Sequence, residues 1–131
     1  MRYFLSLGSN LGDRKKNLER AATQMRKAGV HILRKSSLYE TEPVGIATDA
    51  WFCNQVLEVE TRFAPEELLL LVKRIEKQLG RDQAEYQTSR SIDIDILLAG
   101  EITVKTRNLQ IPHSRMVERN FVKSDRSHVV L

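Results

Sequence analysis

The stretch RSIDIDILLAG, residues 90–100, sets Asp93 and Asp95 between Ile92, Ile94 and Ile96. Strict alternation of apolar and acidic residues is the pattern of an extended chain, whose successive side chains point to opposite faces. The isoleucines are therefore expected on a buried face of a sheet and the aspartates on the other. Residues two apart on a strand lie roughly 7 Å apart, so two ionised carboxylates there repel by about 2 kcal/mol at an effective dielectric of about 20. A divalent cation, or a pair of cations about 4 Å apart bridging phosphate oxygens, offsets that repulsion. Alternatively both aspartates face water on a one-sided sheet, where screening removes most of it. Asp is a poor strand former, and the stretch alone leaves both readings open.

Working outward, RYFLSLG (residues 2–8) reads as a first strand, ended by the turn formers of GSNLGD (residues 8–13). Asp13 opens a helix in which Leu18, Ala21, Ala22, Met25 and Ala28 recur at helical spacing, and Gly29 stops it. VHILRKSSLYETE (residues 30–42) reads as one extended segment with Val30, Ile32 and Leu38 inward, and PVGIATDA (residues 43–50) as a loop. WFCNQVLEVETRF (residues 51–63) is a third strand. A second helix opens at Pro65, followed by Glu66 and Glu67, and carries Leu68, Leu69, Val72, Ile75 and Leu79 before Gly80. RDQAEYQTS (residues 81–89) has no period and reads as a loop into the aspartate strand; EITVKTRNLQI (residues 101–111) continues as a hairpin arm and a short extended piece. IPHSRMVERNFV (residues 111–122) reads as a helical turn followed by a last extended bit. The order strand, helix, two strands, helix, strand is that of a ferredoxin-like split βαβ arrangement. The expected class is α+β, an antiparallel sheet with its helices packed on one face.

A chain of 131 residues is expected to form a single domain, residues 1–131, with a core that needs no disulfide. Its one cysteine, Cys53, excludes an internal disulfide and a CxxC metal site, and its apolar neighbours suggest a buried thiol in a reducing, cytoplasmic setting. The apolar run near the start is too short for a signal peptide, and no apolar stretch reaches the 18 or so residues of a membrane span, so a soluble protein is expected. The formal net charge of +4 and pI near 9.4 suit a phosphate-bearing ligand and also weak nucleic-acid binding.

Several residues suit ligand chemistry. GSNLGD has neither the GK[ST] nor the GxGxxG fingerprint of a phosphate loop, so it reads as a turn. His113 either contacts a phosphate or carries a proton, or is a plain structural or surface histidine. Arg81, Arg90 and Arg119 lie in or beside loops, where fork-shaped guanidiniums suit phosphate, although arginines scattered on a basic protein are usually solvated. Phe52 and Phe121 could sandwich a flat heterocycle whose donor and acceptor edge Asn54 reads, or the rings could simply be core.

Seven blocks in order, LGSNLGDRKKNLERA, SSLYETEPVG, FCNQVLEVET, APEELL, IEKQLGR, SRSIDIDILLAG and IPHSRMVERNFV, resemble the 6-hydroxymethyl-7,8-dihydropterin pyrophosphokinase family of folate biosynthesis over about residues 3–122. The resemblance implies a ferredoxin-like α+β fold that transfers the pyrophosphate of ATP to the hydroxymethyl group of a dihydropterin and releases AMP. It implies two Mg²⁺ ions on Asp93 and Asp95. Phe52 and Phe121 correspond to the rings that hold the pterin, Asn54 to the residue that reads its edge, and the backbone around Thr41, Glu42 and Val44 to further pterin contacts. Arg81, Arg90, His113 and Arg119 match polar and basic positions around ATP, with Arg81 and Arg90 stabilising charge as the bond to AMP breaks. Lys73, Glu76 and Ile96 lie where the family lines the nucleotide pocket. The partners implied are small molecules, with no nucleic acid and no membrane, and association with another enzyme of the pathway is compatible with it.

The departures from the family pattern cluster before the aspartate strand. Relatives carry a second Arg two residues after Arg81 and a WGPR run; here Gln83 stands at the first position, and neither Trp, Gly nor Pro precedes Arg90. The end, VKSDRSHVVL, replaces the family's PL and IAP continuation, and a C-terminus shortened relative to the family is expected. Two other readings follow: a weakened or binding-only homologue, and a nucleic-acid-binding ferredoxin-like module. The second lacks the aromatic strand signature of an RNA-binding sheet.

Overall fold

Tyr3, Leu5 and Leu7 are fully buried, which puts the strand that carries them, β1 (Arg2–Ser9), at the centre of the sheet. The structure, a computed structural model, describes residues 1–42, 50–80, 91–98, 104–105 and 110–111. After β1 come α1 (Arg14–Lys27), β2 (His31–Lys35), β3 (Tyr39–Thr41), β4 (Phe52–Glu60), α2 (Pro65–Gln78) and β5 (Asp93–Leu98). The sheet runs β2-β4-β1-β5, with β3 beside β4, and every pairing is antiparallel. β6 (Val104–Lys105) and β7 (Gln110–Ile111) pair with each other as a separate antiparallel ribbon.

Both helices start and stop where the sequence says. Asp13 caps α1, its Oδ1 accepting the Lys16 N–H at 3.1 Å, and Gly29 at φ +98° lets the chain leave it. In α2, Glu67 accepts the Ala64 N–H at 2.8 Å and Pro65 occupies the first turn. The α1 residues Leu18, Ala21 and Met25 and the α2 residues Leu68, Leu71, Val72 and Ile75 enter one cluster with Tyr3, Leu5, Leu7, Leu57, Val59, Ile92, Ile94 and Ile96. Both helices thus cover the same face of the sheet. Each large aliphatic side chain taken from water there contributes about 1.5–3 kcal/mol before entropy is counted. Leu70 stays 69% exposed because four consecutive leucines wrap the whole circumference of a helix.

The segment 30–42 departs from the single extended piece expected. It divides into β2 and β3 at Ser36, whose N–H bonds to the Val56 carbonyl and whose Oγ accepts the Val56 N–H, both at 2.8 Å. A bulge between Ile32 and Arg34 has already shifted the register. With the two-residue phase broken, Leu38 turns outward and is 42% exposed, against the expectation that it faces in. Val30 is buried and Ile32 packs against the core as expected. Cys53 is a buried free thiol.

Candidate active site

β5 obeys the alternation of its sequence. Ile92, Ile94 and Ile96 lie in the core, whereas Asp93 and Asp95 are half-exposed on the opposite face. Asp93 stands across from Gly8 and Asp95 across from Ser6 on β1. A bulge opposite Phe4 and Leu5 then ends the regular register, and Leu97 is buried beside Ile96. Two carboxylates on one strand face offer only oxygen donors, the set that a hard cation such as Mg²⁺ takes while keeping waters and substrate phosphate for its remaining positions. No cluster of three or more metal-ligating side chains occurs among the described residues.

The pairing continues across the sheet. Gly8 has Asp93 on one side and Asn54 on the other, and Asn54 faces Tyr39 on β3. Asp93 and Asn54 are therefore two strand spacings apart, roughly 10 Å. Both lie on the face away from α1 and α2, as does Phe52, two residues before Asn54 and directly across from Thr41.

The orientation of the Asn54 amide is fixed by chemistry. Its Nδ2 donates to the Thr41 hydroxyl at 2.9 Å and lies 3.3 Å from both the Tyr39 and the Phe52 carbonyls. Carbonyls only accept, so the nitrogen must face them and the oxygen must face away. Oδ1 turns toward Gly8, where an added Cβ would meet it at 2.9 Å and the Phe52 ring at 3.3 Å. A glycine is thus required to leave the acceptor and the ring uncovered.

Behind the aspartate strand, Glu76 is 3% exposed, and its Oε2 accepts the Ile94 N–H at 2.7 Å. Among the described strands β5 is the outermost on its side of the sheet, and this N–H, between the two aspartates, points away from β1. A buried carboxylate is costly unless it is bonded; here it gains that N–H and Lys73 Nζ at 3.4 Å. Lys73 itself lies largely in solvent.

Of the residues singled out in the sequence, the sheet brings together Asp93, Asp95, Asn54, Phe52 and Thr41. Glu42 follows β3 as an exposed residue. Lys73 and Glu76 sit on α2 behind β5, and the Ile96 side chain is buried in the core. Val44, Arg81, Arg90, His113, Arg119 and Phe121, together with the 81–90 segment and residues 112–122 of the expected helical turn, lie outside the described residues, while Ile111 closes β7. Gly8, Ser6 and the Thr41 hydroxyl were not singled out. Strand pairing is what brings them to the site; only the run RYFLSLG, with Gly8 at the end of an otherwise side-chain-bearing strand, offered a hint.

A family profile described as 7,8-dihydro-6-hydroxymethylpterin-pyrophosphokinase matches residues 4–129. The chain is 42% identical over 120 residues to the 2-amino-4-hydroxy-6-hydroxymethyldihydropteridine pyrophosphokinase of Bacillus subtilis, covering 91% of this chain and 72% of that one. It is 44% identical over 118 residues to the mitochondrial folate synthesis bifunctional protein of Pisum sativum, covering 90% of this chain and 23% of the pea protein. This chain therefore spans about a quarter of the pea relative and about three quarters of the bacterial one. The crystal structure of wild-type Plasmodium falciparum HPPK-DHPS superposes with a TM-score of 0.69 at 15% identity, over 98% of this chain and 40% of that one. At that identity the superposition speaks for the fold alone.

Proposed function

The chain belongs to the 7,8-dihydro-6-hydroxymethylpterin-pyrophosphokinase family, and on that footing we propose that it transfers pyrophosphate from ATP to 6-hydroxymethyl-7,8-dihydropterin, releasing AMP, as a step of folate biosynthesis. The observation that carries this reading is the line Asp93, Gly8, Asn54: a carboxylate and an outward-facing amide oxygen separated by one glycine on a single sheet face. A span of roughly 10 Å suits a bicyclic ring read at one end and carrying its reactive hydroxymethyl arm at the other.

In this reading the Asn54 oxygen accepts from the ring N–H or exocyclic amine of the pterin, and Phe52 stacks on its face. Phe121 supplies the second ring, and main-chain atoms near Thr41, Glu42 and Val44 complete the pocket. Two Mg²⁺ ions on Asp93 and Asp95 would supply charge neutralisation along the triphosphate and a fixed geometry for in-line displacement. Arg81 and Arg90 stabilise the charge that develops on AMP as it leaves. His113, Arg119 and Lys73 bind the nucleotide, and Ile96, whose side chain is buried, contributes through its main chain. Glu76 acts behind β5 by holding the strand between the aspartates. The sheet order β2-β4-β1-β5 with β3 beside β4 supports a ferredoxin-like split βαβ topology.

No described helix is long and apolar enough to cross a membrane, and the buried free Cys53 suits a reducing, cytoplasmic setting. Because the pea relative is named a bifunctional folate synthesis protein, association with another enzyme of the pathway is part of the proposal.

An AMP-release assay with Mg-ATP and the dihydropterin, run beside Asp95→Ala, tests the reaction. Turnover is expected in the parent and a loss of at least about a hundredfold in the variant; equal background rates in both would sink the reading. A second reading, a homologue that binds but turns over slowly, is favoured by Gln83 and by the missing Trp, Gly and Pro ahead of Arg90. Calorimetry with the pterin and a non-hydrolysable ATP analogue separates the two: a ternary complex without AMP release identifies the slow form.

A further inference from the structure

The GSNLGD turn and the residue after it reach across to the pterin side of the sheet. Asn10, only 5% exposed, donates from Nδ2 to the Ala50 carbonyl at 3.1 Å. Arg14, in the first turn of α1, donates from Nη1 to the Trp51 carbonyl at 3.1 Å and pairs through Nη2 with Glu40 Oε1 at 2.7 Å. Glu40 lies in β3, immediately before Thr41; Trp51 immediately precedes Phe52. Thr41 and Phe52 are direct cross-strand partners. One planar guanidinium therefore grips the chain next to both members of that pair.

We propose that Arg14 is a positioning residue for the pterin site, setting the spacing of Thr41 and Phe52 and, through the Thr41 hydroxyl, the orientation of the Asn54 amide. The inference rests on the reading of that face as the pterin site. A guanidinium suits the task because its donors are held in one rigid fork, one prong taking a carbonyl and the other a carboxylate. Asn10 adds a second tie one residue earlier, at Ala50. The Arg14 and Glu40 side chains are 35% and 55% exposed, and an ion pair that open to solvent contributes little to folding stability. The contact thus bears on the geometry of the ligand site more than on the fold.

Steady-state kinetics with pterin and Mg-ATP varied separately, on the full chain and on Arg14→Ala, Arg14→Lys and Glu40→Gln, test this. Arg14→Ala is expected to raise the KM for pterin about fivefold to tenfold, as loss of a charge-assisted contact does, with the KM for ATP within about twofold. Arg14→Lys, which keeps the charge but not the fork, recovers only part of the loss. Glu40→Gln, which leaves the Trp51 bond in place, has the smallest effect. A ligand-free measurement accompanies the kinetics: amide hydrogen exchange at Thr41 and Phe52 is expected to quicken in Arg14→Ala while Tm holds. An unchanged KM for pterin, or KM values for pterin and ATP that rise together, overturns the proposal. If the parent chain binds no pterin, the reading of the face fails, and the clasp stands or falls on exchange alone, unchanged protection at those two amides overturning it.

Discussion

At the scale of single residues, the site depends on which end of one amide faces out. Asn54 presents oxygen because three acceptors hold its nitrogen, and only one of them, the Thr41 hydroxyl, belongs to a side chain. Thr41→Val removes that acceptor and leaves the amide freer to rotate; pterin affinity is expected to fall about fivefold to tenfold. Thr41→Ser is expected to restore it, measured by fluorescence titration with the pterin. Gly8→Ala tests the same corner by volume. Its methyl would lie 2.9 Å from Asn54 Oδ1, and that oxygen cannot retreat while the nitrogen is tied. Loss of pterin binding with near-native Tm is expected, and a variant that binds normally would show that the corner is wider than this packing allows.

At the scale of elements, β5 is held from two sides. Its aspartates are fixed by pairing with β1, and the Ile94 N–H between them is satisfied by Glu76 from α2. Glu76→Ala orphans a buried donor and is expected to cost about 1–3 kcal/mol in urea unfolding, while Glu76→Gln, still an acceptor, costs less. If the strand positions the cations as proposed, Glu76→Ala also raises the Mg²⁺ concentration needed for half-maximal AMP release. A further tie to the sheet lies just ahead of α2, where Tyr3 donates its hydroxyl to the Phe63 carbonyl at 2.6 Å. Burial, and next the carboxylate of Glu67, raise the Tyr3 pKa above the ordinary 10.0. The folded chain thus holds the phenol proton more tightly than the unfolded chain. The stability this confers is full below pH 10.0 and is lost as pH rises through the higher folded value. Tyr3→Phe has no proton to release, so its urea midpoint is expected to fall less steeply than the parent's on the alkaline side, after a loss of about 1 kcal/mol at neutral pH.

The same elements show how far the sequence could be read. Period two in IDIDIL and period 3.6 in the two helices report burial directly, so β5, α1 and α2 were legible with their inward faces, and β1 and β4 as strands alone. Leu38 was misjudged because its phase depends on a bulge at residue 33 and on the hydroxyl of Ser36, and neither leaves a mark in a hydrophobic pattern. Asp93, Asp95, Phe52 and Asn54 stood out by type and by resemblance. Gly8 and the Thr41 hydroxyl did not, since their part is defined by cross-strand neighbours tens of residues away.

At the scale of the whole molecule, the sheet separates two tasks. Both helices and the main hydrophobic cluster occupy one face, and the proposed ligand groups occupy the other, so ligand binding can be scored as stabilisation of an otherwise finished fold. A non-hydrolysable ATP analogue with Mg²⁺ at about a hundred times its Kd is expected to add about 2.7 kcal/mol to stability. The gain should vanish with EDTA and in the Asp93→Ala, Asp95→Ala double variant, as read by thermal shift. A gain that persists in the double variant would place nucleotide binding elsewhere.

The strict alternation of Ile92 to Ile96 has one more consequence. A slip of β5 by a single residue against β1 would carry both carboxylates into the interior and turn three isoleucines to water. Loss of correct pairing and loss of the proposed metal site are then one event: a one-residue slip offers no well-packed alternative, and any chain that has folded here has also assembled its acidic pair.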